Sequence, residues 1–347
     1  MFKKEGIGGF VLKKISVIGA GSWGTALACL LSDNQHEVTI WSIDEKEVEM
    51  LQTFHEQKDK LAGVKVPEEI KITSDLKEAL DQKDIIVMAV PSIFVRSTAK
   101  KMSGLIQGNP VIVNVAKGIE EATLMTLTDI IKEELPGYQV AVLSGPSHAE
   151  EVGKKIPTTC VVGSEDQKTC ELLQDVFMNQ VFRVYTSSDV LGIELGGALK
   201  NVIALAAGIN DGLGYGDNSK AALMTRGIAE IARLGVKMGA KMETFYGLSG
   251  IGDLIVTCSS KHSRNRNAGY YIGKGMSYEE AMKEVKMVVE GVYSAKAAYA
   301  LSKKYDSPLP IIEQVNQVLF ENKLPTEAVT ELFLRNKKME NGASFWN

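Results

Sequence analysis

The 347-residue sequence predicts an α/β domain built on a mostly parallel sheet, followed by an all-α domain. In the first half, short β-branched runs alternate with segments of helical spacing, which is typical of a parallel sheet covered by helices. After about residue 188, long helical patterns replace that alternation. A glycine-rich turn lies between the first strand and the first helix, and it gives the first indication of a ligand.

Seven strand-like runs follow one another in the first half. Five of them read ISVIG, EVTIW, DIIVMAV, PVIVNVA and QVAVLSG, and two lie at 158–163 and 181–185. Helical spacing marks 23–34, 121–135 and 167–179 between them. In the second half we predict a helix over 189–211, a second in SKAALMTRGIAEIARLGVKMGA, and shorter helices to about residue 335.

Composition excludes several classes of protein. The chain is 45% hydrophobic and 24% charged, which indicates a globular protein with a sizeable core. Its net charge of -4 gives no electrostatic reason to expect nucleic acid as a partner. No stretch approaches the roughly 20 apolar residues that span a bilayer, and the N-terminus lacks a secretory apolar core, so we expect no membrane insertion and a cytoplasmic location. The four cysteines are scattered singly, without a metal-binding or disulfide-rich pattern.

The glycine-rich turn reads GAGSWG, a G-x-G-x-x-G pattern between a strand and a helix. Gly19 would permit the tight turn, Gly21 would let a pyrophosphate approach the backbone, and Gly24 would allow close helix packing. A helix starting near Ser22 or Trp23 would offer unpaired N–H groups to phosphates. This context favours a dinucleotide, although an empty glycine turn or a nucleotide-methyl donor site would use similar glycines.

These features divide the chain into three parts. Residues 1–12 carry three glycines and no clear periodicity, so we interpret them as a flexible extension. Residues 13–188 are predicted to form a Rossmann-type dinucleotide-binding domain, and 189–340 a helical substrate-binding and catalytic domain. Because no low-complexity linker separates them, we expect direct packing and a substrate cleft between the two.

Asp44 follows the second strand and lies 20 residues after Gly24. A carboxylate there could accept hydrogen bonds from the adenosine ribose and would repel a 2′-phosphate, which favours NAD over NADP. It could equally cap a helix that begins at Glu45. Both interpretations remain open at the level of sequence.

Two loops follow predicted strands at the edge of the sheet where α/β proteins bind ligands. Lys117 is in NVAKGIE, where it could face a ligand or only solvent. In LSGPSHAEEV, Gly145 would allow close backbone approach, and Ser147 could cap a helix or contact a ligand. His148 is a candidate general acid, but a histidine at a cap position is more often structural.

Lys200 is the most informative charged residue. It shares one face of its predicted helix with small residues, and the plainer alternative is a lysine that extends along the surface to solvent. Gly196 and Gly197 each cost roughly 1 kcal/mol of helix stability relative to alanine, which indicates a close contact beside Lys200 and favours a functional role.

Three further stretches carry candidate site residues. Asp253, between glycines and an apolar run, could cap a helix or pair with a buried lysine. In SRNRN, Ser263 could cap a helix whose first turn carries Arg264 and Asn265, an arrangement suited to phosphate or to a solvated basic patch. Glu290 precedes a helix expected at Tyr293 and could be only a helix-start carboxylate.

In order along the chain, seven motifs resemble bacterial NAD(P)-dependent glycerol-3-phosphate dehydrogenase. The resemblance runs from about residue 14 to residue 334. Members of that family interconvert sn-glycerol 3-phosphate and dihydroxyacetone phosphate and supply phospholipid synthesis. The motifs are GAGSWGTA, NVAKGIE, SGPSHAEEV, ELGGALKNVIALAAGINDGL, GLSGIGDL, SRNRNAG and VVEGV.

The resemblance implies a role for individual residues. Lys200 would be the catalytic proton acceptor. The cofactor would be NAD or NADP, and no metal would be needed. A small phosphorylated substrate is implied, whereas a homodimer is an option that the sequence does not decide. The implied substrate positions are Lys117, Gly145, Ser147, Lys200, Asp253, Ser263, Arg264 and Asn265. The implied cofactor positions are Ser22, Trp23, Lys117, Ala149, Arg264, Val288 and Glu290, beside Gly19, Gly21, Gly24 and Asp44.

The chain also departs from that family. Many bacterial members place His or Arg after the second strand, where this chain has Ile43 and Asp44, so the usual NADPH preference is not implied. Two alternatives from other groups remain: a related reductase of a 2-keto or 3-hydroxy acid, and a non-catalytic dinucleotide-binding protein. The four charges Lys117, Lys200, Asp253 and Arg264 argue against the second.

Overall fold

A computed structural model describes residues 11–337, 339 and 340 of the chain. Of the predicted extension, residues 1–10 lie outside the described part, while Val11 and Leu12 are exposed. The strands are β1 (Lys14–Ile18), β2 (Glu37–Trp41), β3 (Lys71–Thr73), β4 (Ile85–Met88), β5 (Val111–Asn114), β6 (Val140–Ser144), β7 (Thr158–Gly163) and β8 (Phe182–Ser187).

Helices follow most strands and then make up the rest of the described chain. In the first half they are α1 (Ser22–Asp33), α2 (Glu45–Phe54), α3 (Leu76–Leu80), α4 (Val95–Met102), α5 (Leu127–Glu134), α6 (Ala149–Gly153) and α7 (Gln167–Phe177). In the second half they are α8 (Val190–Gly212), α9 (Asp217–Met238), α10 (Met242–Phe245), α11 (Asp253–Ser259), α12 (Arg264–Gly273), α13 (Tyr278–Val285), α14 (Glu290–Lys304), α15 (Pro310–Phe320) and α16 (Pro325–Phe333).

The eight strands form one sheet in the order β3-β2-β1-β4-β5-β6-β7-β8. Neighbouring strands are parallel except β6 and β7. The register pairs Ile15 with Val38 on one side and with Ile85 on the other. The strand order reverses beside β1, which opens a crevice at the carboxyl ends of β1 and β4, where such sheets bind ligands. The predicted Rossmann-type sheet is therefore confirmed.

Apolar residues cover both faces of the sheet and the centre of the helical part. Alternate residues of one strand face opposite layers: Val17 packs against α1, and Ile18 packs with Trp41 and Met88 on the other face. In the second half the core forms around α8, which contacts α9, α11, α12 and α14. The predicted all-α second part is confirmed, and the two halves meet where the amino end of α8 contacts β6 and β7.

Two local predictions are wrong in their extent, and one strand was missed. The helix expected over 121–135 begins only at Leu127, because Ile119 and Thr126 form a β-bridge and Leu124 has a positive φ of 61°. The helix expected at Tyr293 begins at Glu290. β3 was not predicted, since a strand of three residues carries almost no periodic signal.

The expectation about apolar stretches also needs correction. Among the described residues, α8 is long and apolar enough to cross a membrane by length and composition. However, 83% of its apolar window is buried inside the protein, so its hydrophobicity is explained by its place at the centre of the helical core.

Candidate active site

The glycine-rich turn packs closely at two of its glycines and leaves open space at the third. Gly19 has a φ of 123°, and a Cβ there would lie 2.8 Å from the Ala89 backbone. A Cβ on Gly24 would lie 2.0 Å from the carbonyl oxygen of Gly19, so α1 packs tightly on the turn. Beside Gly21, in contrast, there is open space for at least 4 Å. The turn and packing roles are as predicted, and the open position lies at the start of α1.

Trp23 and Asp44 lie close to this crevice and differ in their hydrogen bonding. The indole Nε1 of Trp23, in the first turn of α1, is buried without a partner among the described residues. Asp44 caps α2, where its Oδ1 accepts a hydrogen bond from the Lys46 N–H at 3.0 Å. The helix-cap interpretation of Asp44 is confirmed. The exposed carboxylate has a second oxygen that makes no hydrogen bond within the described chain.

Two lysines and one aspartate form a buried cluster between the two halves. Lys200 Nζ lies 2.9 Å from Asp253 Oδ1, and Lys117 Nζ lies 2.6 Å from Asp253 Oδ2. The side chains of Lys200 and Asp253 are only 7% and 2% exposed, which excludes a surface lysine at position 200. A single carboxylate therefore holds two ammonium groups from different parts of the fold, one from the loop after β5 and one from α8.

Glycines allow this cluster to form. A Cβ on Gly197 would lie 2.9 Å from Ser144 Oγ and 3.5 Å from Lys117 Cγ, so α8 can approach the sheet only without side chains here. A Cβ on Gly196 would lie 2.6 Å from the Ser249 carbonyl oxygen. The predicted close contact beside Lys200 is confirmed. One turn of π-helix, Leu248–Gly252, precedes Asp253, a local distortion that often accompanies functional sites.

Burial and neighbouring charges change the acid–base chemistry of the cluster. Burial lowers the pKa of Lys200 to about 8, with Lys117 adding to the effect and Asp253 opposing it. Burial alone would raise the pKa of Asp253, but the two lysines outweigh it and leave that pKa below its usual value. Lys200 can therefore exchange a proton near neutral pH, while Asp253 remains ionised.

The loop after β6 completes one wall of the cluster. The Gly145 carbonyl accepts a hydrogen bond from Lys117 Nζ at 2.9 Å, and Ser147 Oγ lies 3.2 Å from the same nitrogen. Gly145 has a φ of 135°, and a Cβ there would lie 3.1 Å from the Cα of Cys160. Both the backbone conformation and the close approach therefore favour glycine. Ser147 does not cap α6, because the N-cap residue of that helix is His148. The His148 side chain makes no capping hydrogen bond. Ala149 is the first residue of α6 and is buried.

The amino end of α12 faces the same region from the helical part. Ser263 caps this helix and accepts a hydrogen bond from the Arg266 N–H at 3.2 Å, as predicted. The Arg264 guanidinium donates to the Val288 carbonyl at 3.2 Å. The Asn265 side chain is already used within the protein, donating to Asn201 Oδ1 at 2.9 Å and accepting from Gly291 N–H at 2.8 Å. Free backbone donors and Arg264 therefore suit an anion there.

Glu290 joins the helical part to the crevice beside β4. Its carboxylate accepts a hydrogen bond from the Ser92 N–H at 3.0 Å and another from Ser92 Oγ. Burial raises the pKa of Glu290, and the hydrogen bonds from Ser92, followed by the charge of Arg264, oppose that shift. A Cβ on Gly118 would lie 2.4 Å from Ser92, so the loop that carries Lys117 packs directly on this contact. Among the positions implied by the resemblance, contacts therefore join Lys117, Asp253 and Lys200, and separately Arg264 and Val288.

Three site residues were missed at the level of sequence. Thr257 Oγ1 accepts a hydrogen bond from Lys200 Nζ at 2.6 Å and lies one helical turn after Asp253, a spacing that could have identified it. Ser92 follows β4 at the carboxyl edge of the sheet, which is a weaker signal. Asn201 accepts a hydrogen bond from Asn265, which is 64 positions away, so no local sequence signal could have identified it. Among residues 11–337, 339 and 340, no three His, Cys, Asp or Glu side chains are grouped as for a metal ion.

The chain matches a known protein family along most of its length. Residues 14–170 match the family described as NAD-dependent glycerol-3-phosphate dehydrogenase N-terminus, and residues 189–330 match the C-terminus of the same family. A crystal structure of glycerol-3-phosphate dehydrogenase from Coxiella burnetii superposes with a TM-score of 0.91 at 37% identity. The superposition covers 94% of this chain and 100% of that one.

Two bacterial relatives are more similar in sequence. Glycerol-3-phosphate dehydrogenase [NAD(P)+] from Agathobacter rectalis is 62% identical over 335 residues, covering 96% of this chain and 100% of the relative. The enzyme of the same name from Fusobacterium nucleatum is 63% identical over 329 residues, covering 94% and 98%. Both similarities extend over the crevice, the buried lysine cluster and the amino end of α12. The chain therefore belongs to the NAD-dependent glycerol-3-phosphate dehydrogenase family.

Proposed function

We propose that this protein interconverts sn-glycerol 3-phosphate and dihydroxyacetone phosphate with NAD(H) or NADP(H), and supplies glycerol 3-phosphate for phospholipid synthesis. The observation that carries the proposal is the buried cluster of Lys200, Asp253 and Lys117, between a pyrophosphate-type turn and the amino end of α12. A protein that only binds a dinucleotide has no need of an aspartate shared by two lysines with restricted access to solvent.

Lys200 is proposed as the proton donor and acceptor. When a ketone is reduced, its oxygen becomes an alkoxide that needs a proton, and an ammonium group with a pKa of about 8 can supply one at neutral pH. In the reverse direction the neutral amine takes the proton from the alcohol. Asp253 and Thr257 hold Lys200 Nζ in place, at 2.9 Å and 2.6 Å. Lys117 keeps a second positive charge near the reacting oxygen.

The two ends of the substrate would be held by different parts of the protein. The amino end of α12, with Ser263 and Arg264, is proposed to bind the phosphate. The side chain of Asn265 would then act indirectly, since it ties α12 to α8 and α14. Fixing the phosphate at one end orients the carbonyl toward Lys200 at the other.

The open side of Gly21, the free start of α1 and the unpaired Trp23 Nε1 fit the pyrophosphate of a dinucleotide. When bound, the nicotinamide donates or accepts the hydride. We propose that the contact between Glu290 and Ser92 holds the loop that carries Lys117 between the substrate and the cofactor. Val288 and Ala149 would line the cofactor side. Asp44 is proposed to favour NADH, through its unused carboxylate oxygen.

A steady-state assay tests the reaction directly. Purified protein is supplied with dihydroxyacetone phosphate and with NADH or NADPH in turn, and oxidation is followed by absorbance. We expect turnover with dihydroxyacetone phosphate, and none with 2-keto acids of similar size that lack a phosphate. Turnover of a keto acid alone would replace the proposal with the reductase alternative.

We also propose a cytoplasmic location and a homodimer. All four cysteines are free, buried thiols, which suits a reducing compartment. A groove of about 1200 Å³ with largely apolar walls lies between α9, α15 and α16, and Phe333 beside it is 76% exposed. Cell fractionation and light scattering coupled to gel filtration would test these two points. A monomeric mass at micromolar concentration would exclude the dimer.

A further inference from the structure

His148 lies between two proposed ligand contacts but has no assigned role. It follows Ser147 and precedes Ala149, and it occupies the N-cap position of α6 without making a capping bond. Its ring centroid lies 6.1 Å from that of His262, the residue immediately before the Ser263 cap of α12. His148 therefore belongs to the sheet half of the protein but lies beside the residue that precedes the cap of α12 in the helical half.

One nitrogen of this ring is unsatisfied. Nε2 is buried and has no hydrogen-bond partner among the described residues. The ring also interacts with the backbone of Val256 in α11, which favours the protonated ring. A buried nitrogen without a partner costs free energy, which a ligand oxygen that accepts a hydrogen bond from Nε2 would recover.

The charges around the ring keep it neutral in the absence of substrate. Burial lowers the pKa of His148 below its ordinary value of 6.5, and Lys200 of α8 adds to that effect. Glu150 of α6 and Asp253 of α11 oppose it, and the ring of His262 is the other titratable neighbour. A dianionic phosphate placed beside the ring would reverse this balance, because it stabilises the protonated imidazolium and supplies the missing acceptor.

We propose that His148 is a substrate-binding residue, whose Nε2 takes up a proton from solvent when the substrate binds and then donates a hydrogen bond to the substrate phosphate. This inference rests on the proposed function, since it requires a phosphorylated substrate at the amino end of α12. It makes the affinity for substrate depend on pH: binding strengthens as the pH falls toward the range in which His148 is protonated.

Calorimetry of a non-reacting complex measures the proton directly. Dihydroxyacetone phosphate is titrated into protein saturated with the oxidised cofactor, at pH 7.5, in two buffers of different ionisation enthalpy. We expect net proton uptake by the natural protein and by His262→Gln, and a loss of that uptake in His148→Gln. Equal uptake by the natural protein and His148→Gln would overturn the proposal, as would uptake that disappears in His262→Gln alone.

Kinetics of the reduction supply a second readout. Loss of a charged hydrogen bond should raise the KM for dihydroxyacetone phosphate by roughly 10-fold to 100-fold in His148→Phe, with kcat changed by less than about 3-fold. His148→Gln, which retains a neutral donor, should have an intermediate KM that varies less with pH, and His262→Gln should resemble the natural protein.

A KM for His148→Phe equal to that of the natural protein would show that the ring only packs between the halves, and would overturn the inference. Retained cofactor binding by each variant confirms its folding. Failure of the natural protein to turn over dihydroxyacetone phosphate would overturn the proposed function itself, whereas normal turnover with unaffected His148 variants would overturn only the role of His148.

Discussion

Lys200 shows at the residue scale how burial produces a usable acid. An exposed lysine has a pKa near 10.4 and holds its proton too tightly to exchange it at neutral pH. Here α8 places the ammonium in the interior, and the single carboxylate of Asp253 is divided between Lys200 and Lys117. Partial compensation is the important feature, since a fully paired lysine would have no reason to release its proton.

Lys200→Ala should therefore reduce kcat for dihydroxyacetone phosphate by several orders of magnitude, because both the proton and the positive charge are lost. Lys200→Arg is the matched variant, since it keeps the charge but cannot release a proton. We expect it to be nearly as inactive. Cofactor binding, followed by nucleotide fluorescence, should persist in both variants. A near-normal rate in either would remove Lys200 from the proton transfer.

Asp44 has a confirmed structural role and a proposed selective one, and two substitutions separate them. Asp44→Asn keeps a good N-cap for α2 but removes the negative charge, whereas Asp44→Ala removes both. If the charge repels a 2′-phosphate, both variants should raise kcat/KM for NADPH relative to NADH. Only Asp44→Ala should lose stability, by about 1 kcal/mol. Ratios that do not change would leave Asp44 as a helix cap alone.

At the element scale, the site depends on how closely α12 approaches α8. A Cβ on Gly208 of α8 would lie 2.0 Å from the Arg266 carbonyl oxygen, and one on Gly269 of α12 would lie 2.0 Å from the Leu205 carbonyl oxygen. The two backbones are in direct contact at this crossing. The contacts of Gly208 and Gly269, which lie within the helical core, therefore position the amino end of α12 and with it Arg264.

Gly208→Ala should consequently displace α12. We expect a loss of about 1–3 kcal/mol in the free energy of unfolding and a higher KM for dihydroxyacetone phosphate. Gly216→Ala is the control, because a Cβ there meets nothing within 4 Å and the φ of Gly216 is -87°. That variant should stay within about 0.5 kcal/mol of the natural protein. Urea denaturation measures both, and equal stabilities would show that the crossing can relax.

At the scale of the whole molecule, Glu194 joins the sheet to the helical part. This buried carboxylate of α8 accepts hydrogen bonds from the Thr128 N–H at 2.9 Å and from Thr128 Oγ1 at 2.5 Å. Asn114 Nδ2, at the end of β5, lies 3.4 Å away. Burial raises the pKa of Glu194 to about 7 despite these donors. The contact between the halves thus contains a group that titrates near neutral pH.

The sign of the resulting pH dependence follows from the two pKa values. Between about pH 4.5, the ordinary pKa of a glutamate, and about pH 7, the folded protein holds a proton that the unfolded chain has lost. Stability due to Glu194 therefore falls as the pH rises through this window and is constant above it.

Glu194→Gln should remove this contribution. Between pH 5.5 and pH 8, we expect the loss of unfolding free energy to be about 2 kcal/mol smaller in Glu194→Gln than in the natural protein. Glu68→Gln, at an exposed loop position, is the control and should retain the natural pH dependence. Urea denaturation at the two pH values provides the measurement. An unchanged slope in Glu194→Gln would exclude this carboxylate as its source.

Local patterns in the sequence determined most of the fold. Strands such as Glu37–Trp41 and Thr158–Gly163 were predicted at their observed bounds. Each is a short run rich in β-branched residues, and that signal lies entirely within the strand itself. The turn at Gly19 and the cap at Ser263 were also predicted, since a positive φ and a helix start each require particular residue types nearby. Short β3 and the delayed start of α5 were not, because long-range pairing formed the first and a local bridge delayed the second.

Tertiary structure alone decided how the site is assembled. The sequence identified Lys117, Lys200 and Asp253 as separate candidates, but it could not show that one carboxylate is shared by two lysines that are 83 positions apart. It also left Asp44 undecided, missed Ser92, and treated His148 as structural. Distance, burial and electrostatic coupling arise only when chain segments remote in sequence come together, and they determine whether an ordinary lysine becomes an acid near neutral pH.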